Sequence, residues 1–143
     1  MRLSEDGDEI ANKDLSDLKR LDRAVIGQID KNNIYLKKYY NTKNNYSNCS
    51  GETTYDMSIS ASQDYKDIDK LLNEVYQVLR KNLPPDDFEK LKQSEIKWIK
   101  DCDKYQELIL LRDEYGSWGR QVGIICAETA FREFRTLLLL LYF

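Results

Sequence analysis

The chain reads as an all-α protein, a compact antiparallel bundle of about four helices. Three observations predict this. Apolar residues recur at spacings of three and four along most of the sequence. No stretch alternates apolar and polar residues over the length of a strand. Two prolines and six glycines in 143 residues are too few for the turn punctuation of an all-β domain. With 41% apolar and 33% charged residues, the composition suits one folded domain large enough to bury a core without staples.

Taking the elements in order, Leu15, Leu18, Leu21, Val25, Ile29 and Leu36 keep helical spacing within residues 8–40. Gly27 and the pair Asn32-Asn33 weaken the pattern, so one or two helices are expected there. "YNTKNNYSNCSGE" is polar and rich in Asn and Ser, which reads as a loop or linker. The chain therefore divides into an N-terminal helical extension with its linker, residues 1–48, and a helical domain, residues 49–143.

A long helix is expected from Thr53 or Thr54, with Ile68, Leu71, Leu72, Val75 and Leu79 on one apolar face. It should stop at "NLPPDD", because a residue before proline avoids the α region and Pro84 cannot continue a helix comfortably. Pro85 suits the first position of the next helix, with Asp86 and Asp87 at the positive end of its dipole. On that helix Phe88, Leu91, Glu95, Trp98, Cys102, Tyr105 and Ile109 form a seam facing another helix. Glycines in "EYGSWGRQVG" then predict a break. A last helix is expected from about Arg120 to Leu141, with Val122, Ile125, Cys126, Ala130 and Leu137 on one side. The terminal "LLLLLYF" is too short to span a bilayer and reads as the buried end of that helix.

Charge and composition exclude several functions. Residues 1–48 carry nine basic and eight acidic side chains; residues 49–143 carry thirteen and seventeen. An acidic second segment argues against nucleic acid and suits either a basic protein partner or plain solubility. Histidine is absent, which removes Ser-His-Asp and Cys-His pairs and His-containing zinc sites. Cysteines at 49, 102 and 126 are far apart with no CxxC spacing, so no metal site and no cofactor are expected. "MRLSEDGDEI" is charged from the start and shows no export signal, which leaves a cytoplasmic location open.

Four groups of residues are candidates for chemistry or binding. Cys102 stands between Asp101 and Asp103, which would raise its pKa, so it reads as a small buried residue and not a nucleophile. Glu95 and Asp103 could be sought as a carboxylate pair, but nothing sets their pKa values apart. Asp69, Asn73 and Tyr76 share a helix face and read as a buried polar network between helices, with a ligand site as the weaker alternative. Trp98 reads as a core anchor. In the glycine-flanked turn, Tyr115, Trp118 and Arg120 are the residue types that dominate binding hot spots; Trp118 could equally fold back and cap the bundle.

These residues resemble the LprI-like family of lysozyme inhibitors and related small exported bacterial proteins, most of them uncharacterised. Cys49 is followed by "TTYDM", like the family's cysteine before Thr-Thr-x-Glu-Met. "DKLLNEVYQVL" is similar to its Asp-x-x-Leu-Asn-x-x-Tyr helix through Asp69, Leu72, Asn73 and Tyr76. "LKQSEIKWIKDCD" resembles its tryptophan helix through Trp98 and Asp103, and a glycine turn leads to Cys126 and a final Thr/Arg-bearing helix. The resemblance covers roughly residues 49–138. Glu95 stands where the family has glutamine and Cys102 where it has arginine; family cysteines fall on Ser60 and Gln106. Either Arg132 or Arg135 could match the family arginine.

The resemblance implies a Cys49–Cys126 disulfide, with Cys49–Cys102 as the competing pairing. It further implies a periplasmic or secreted, non-catalytic protein, a host-lysozyme inhibitor or an immunity protein, that binds a basic muramidase or cell-wall hydrolase and occludes its cleft. In that reading Arg120 faces the catalytic carboxylates and Trp118 fills a sugar subsite. The rival expectation is an interaction or scaffold protein, or a phage-type accessory protein, using residues 1–48 as a contact arm.

Overall fold

The computed structural model describes residues 15–47, 51–111 and 117–143, and every regular element among them is a helix. α1 spans Leu15–Ile26, α2 Ile34–Asn44, α3 Thr54–Asn82, α4 Pro85–Leu111 and α5 Ser117–Leu140.

Local chemistry sets most of these boundaries. The Asn32 amide donates to Asp30 Oδ1 at 3.0 Å, folding the α1–α2 turn. Asn33 then caps α2 by accepting from the Tyr35 amide at 2.8 Å. Thr53 caps α3 by accepting from the Asp56 amide at 3.1 Å. Just before it, Gly51 sits at φ 149°, where a Cβ would lie 2.6 Å from Asp56 Cβ, so only glycine fits. Leu83 leaves α3 in an extended conformation before the proline pair, and Pro85 opens α4 with Asp86 and Asp87 in its first turn. The turn residues at 27–33 split residues 8–40 into two helices as far as they are described.

Consecutive helices reverse direction. Asp22 and Ile26 share a cleft with Tyr39 and Lys43, while Ile29 shares one with Tyr35, so α1 and α2 form an antiparallel hairpin. Lys38 pairs with Glu74, and Ser47 with Asp64, so α2 runs antiparallel to α3. Glu95 pairs with Arg135, and the Trp98 ring lies under Arg132, so α4 runs antiparallel to α5. The most extensive contact, α3 against α5, is parallel: Tyr65 lies level with Glu128, Asp69 with Arg132 and Val78 with Leu140. The expected antiparallel bundle of about four helices is therefore corrected to five among the described residues, with a parallel pair at its centre. Two helices joined through a third that reverses the chain must run the same way.

α5 packs against each of the other four helices and is buried nearly all round from Ala127 onward. The expected one-sided face of Val122, Ile125, Cys126 and Ala130 is only half-buried; Ala127, Phe131, Phe134, Leu137, Leu139 and Leu140 carry the core. A helix surrounded by partners on every side buries every side. Val25, Ile29, Leu36 and Tyr39 enter the same core as Ile68, Leu72, Leu79, Leu91 and Trp98. At ~1.5–3 kcal/mol for each large side chain removed from water, this shared burial is the main force holding α1 and α2 to the rest.

Two further expectations shift. The last helix begins at Ser117, not Arg120, and takes Gly119 and Gly123 into its interior. A Cβ on Gly123 would meet nothing within 4 Å, so packing does not require glycine there. Neighbouring helices offset its propensity cost of about 1 kcal/mol. Leu141, Tyr142 and Phe143 lie beyond the helix and are exposed, although the Phe143 ring rests 5.5 Å from Tyr35. Among the described residues no helix is long and apolar enough to cross a membrane.

Candidate functional site

The residues singled out in the sequence converge where α3, α4 and α5 meet. Asp69 projects from α3, Trp98 and Cys102 from α4, and Glu128 and Arg132 from adjacent turns of α5. Arg132 Nε donates to Asp69 Oδ1 at 3.0 Å and Nη1 donates to Glu128 Oε2 at 2.6 Å. Its guanidinium carbon lies 4.5 Å from the centre of the Tyr65 ring and 5.4 Å from that of Trp98. A planar, delocalised cation suits this position, since it can stack on rings while its edge meets carboxylates. Burial works against the charge of Arg132, but hydrogen bonds to Glu128 and Asp69 and the nearby Tyr65 hold its pKa up.

One turn further along α5, Arg135 donates to Glu95 of α4, and both side chains are largely buried. Both candidate family arginines thus meet motif positions, Arg132 at Asp69 and Arg135 at Glu95. Glu95, considered as half of a carboxylate pair with Asp103, is committed to this ion pair, while Asp103 is exposed.

Trp98 is buried, in keeping with its reading as a core anchor. Asn73 is not in a buried network: it is exposed and reaches only Asp69 Oδ2, at 3.4 Å on its own helix. The half-buried Tyr76 leans away to the Phe88 ring, 5.7 Å between centres. Of the three, Asp69 hydrogen-bonds to α5, Tyr76 packs on Phe88 and lies near Glu95 and Arg135, and Asn73 is left in solvent. Cys102 carries a buried free thiol whose pKa is pushed up by burial, with Glu128 adding to it against the pull of Arg132. Asp101, which is not one of the expected seam positions, is buried beside it. Cys126 is half-buried on α5, and Cys49 lies outside the described residues, so the Cys49–Cys126 pairing does too.

Above the arginine cluster, a cleft of about 330 Å³ opens between α3 and α5, lined by Ser62, Tyr65, Lys66, Ile124, Ile125 and Glu128. Tyr55 and Ile59 continue the Ser62–Lys66 stripe of α3 outward and are 61% and 54% exposed. Ser62 and Ile125 face each other across this cleft, and Tyr55 and Trp118 each stand seven residues before them on their own helices. Trp118 and Arg120 stand in the first turn of α5 rather than in a projecting loop, and Tyr115 lies outside the described residues. Tyr55, Ile59, Tyr65 and Glu128 were not singled out from the sequence. The signals were present: Tyr55 and Ile59 are an i, i+4 pair in line with Ser62, and Glu128 stands one turn before Arg132.

Among the described residues no group of three or more His, Cys, Asp or Glu side chains could hold a metal. What the arrangement does chemically is to spend its charges on one another, fixing the azimuth of three helices, and to leave an apolar cleft with an exposed aromatic rim at one end.

No curated protein and no solved structure matches the chain. A family model described as "Lysozyme inhibitor LprI" matches residues 46–135, which takes in α3, α4 and most of α5, including the arginine cluster and the cleft above it. The chain belongs to the LprI lysozyme inhibitor family.

Proposed function

We propose that the protein is a non-catalytic inhibitor of a lysozyme-type cell-wall hydrolase and acts by occluding the enzyme's cleft. The family match over residues 46–135 carries this reading. The exposed end of the bundle supports it. Tyr55 and Ile59 offer apolar contact, Glu52 and Asp56 beside them offer negative charge to a basic enzyme, and Trp118 and Arg120 belong to the first turn of α5, the neighbouring helix. Tyr115, which lies outside the described residues, is part of the proposed contact set as well. The site of action is the periplasm or the cell exterior, where such hydrolases meet their substrate. There a Cys49–Cys126 disulfide ties the linker to α5, and mass spectrometry of unreduced peptides tests that bond.

The direct test is lysis of a cell-wall suspension by a muramidase with and without the protein. Inhibition that weakens with added salt is expected, because attraction between exposed charges is screened. A Trp118→Ala/Arg120→Ala double variant that inhibits at full potency would remove the occlusion role of that turn. A wild-type protein that neither binds nor slows any muramidase would remove the reading itself.

A further inference from the structure

The N-terminal hairpin carries an electrostatic arrangement that the family segment does not explain. α1 meets α2 and α5 through a face that places Asp22 inside the contact. Asp22 is only 9% exposed, and its Oδ1 is fully buried with no hydrogen-bond partner. A cleft of about 390 Å³ beside it, walled by Arg23, Tyr39, Tyr40 and Lys43, gives water a route to the carboxyl.

The groups that face Asp22 come from each neighbouring element. α5 contributes Glu133, whose side chain is 12% exposed. α2 contributes Lys43 and the buried phenol of Tyr39, and the turn after α2 brings Tyr46 close to Glu133. Arg23, on the helix of Asp22 itself, is exposed at the mouth of the cleft. Lys43 Nζ lies 3.6 Å from Glu133 Oε2 and 5.6 Å from the centre of the Tyr39 ring, so this ammonium is already engaged by one carboxylate. Among the described residues, Asp22 and Glu133 thus bring two largely buried carboxyl groups close together beside Lys43. Such an arrangement is relieved when one of them takes a proton.

We propose that the docking of α1 onto α2 and α5 is proton-linked, with Asp22 as the switch: protonated, it holds α1 in place, and ionised, it loosens it. The electrostatics agree with the geometry. Burial first, and then Glu133, push the Asp22 pKa up to about 7 against the opposing pull of Lys43. The sign follows. Released into water the same carboxyl titrates at its ordinary value of 3.8. The docked helix therefore binds the proton more tightly than the free one. Docking is strongest below pH ~4, weakens by roughly tenfold per pH unit from there toward pH ~7, and levels off above it. Because α1 supplies Val25 to the core, loosening uncovers the α2–α5 surface on which it rests.

Hydrogen exchange of the intact protein tests this, with the protection of residues 15–26 followed from pH 4.5 to 8 after correction for intrinsic rates. Protection of α1 is expected to fall by about thirtyfold or more between pH 5 and pH 7 and then flatten. Residues 68–79 of α3 should hold theirs, and Asp22→Asn should abolish the slope. An equal slope in Asp22→Asn, or a flat wild-type profile, overturns the proposal. A second measurement avoids dependence on the variant's folding: the carboxyl ¹³C shift of Asp22 in the wild-type protein. A midpoint at or above pH 6 supports the switch, and a lower one overturns it.

Discussion

Arg132 of α5 reaches Asp69 of α3 across 3.0 Å while lying between the rings of Tyr65 and Trp98, so one side chain joins three helices. The partly buried Arg132 is also bound to Glu128, whose side chain is 7% exposed. Removing the arginine takes an ion-pair partner from that buried carboxylate and from Asp69 at once. Arg132→Ala should cost about 3–5 kcal/mol in urea-induced unfolding at pH 7. Arg132→Lys should recover only part of this, because an ammonium cannot serve two carboxylates and two ring faces at once.

Family motif positions should divide sharply in their contribution to stability. Trp98→Ala should cost about 3–5 kcal/mol, since it empties a buried site beside Arg132 and the core. Asn73→Ala should stay within ~0.5 kcal/mol, because the side chain is exposed and bonds only along its own helix. Equal losses for the two would show that Asn73 contacts something else in the folded protein.

Cys102 should be chemically silent in the native state. Its thiol is buried and its pKa is raised, so ionisation is suppressed across the whole range in which an ordinary cysteine becomes a thiolate. Iodoacetamide at pH 8.5 should leave the peptide containing residue 102 unlabelled, and should label it fully in denaturant.

The exposed rim at the end of α3 should separate stability from binding. Replacing Ile59 with serine should shift stability by no more than ~0.5 kcal/mol, as expected for a surface position. The same change should weaken muramidase inhibition by about tenfold or more if this end of the bundle is the contact face. Parallel unfolding and inhibition curves read the two effects apart.

Helix limits were legible where a local signal set them. The start near Thr53 or Thr54, Pro85 as a first residue and the spacing from Ile68 to Leu79 all rest on signals within a few residues, and the structure keeps each of them. Glycines 119 and 123 misled, because a propensity cost of about 1 kcal/mol is small beside the tertiary burial of the helix that contains them. Asp101 misled for another reason: spacing along one helix predicts a single face, and this position beside the predicted seam is buried as well. The α3–α5 register was not legible, since long-range pairing leaves no local trace in either segment. Part of the arginine cluster could be read. Asp69 and Trp98 stood out as motif positions, but that Arg132 joins them and that Asn73 stays in solvent depends on the rotation of α3 against α5.

The central position of α5 has a consequence for how the molecule comes to be folded. Every other described helix meets it, yet it is the last of them in chain order. Until residues 127–140 have left the ribosome, α1 to α4 lack the surface around which their apolar faces assemble. Contacts such as Asp22 with Glu133 and Asp69 with Arg132 close loops of many residues, which makes the topology one of high contact order for a helical protein. Assembly is therefore expected to be late and concerted, not helix by helix during synthesis, and chains stopped before residue 127 should be caught by proteases or chaperones instead of accumulating as a smaller domain.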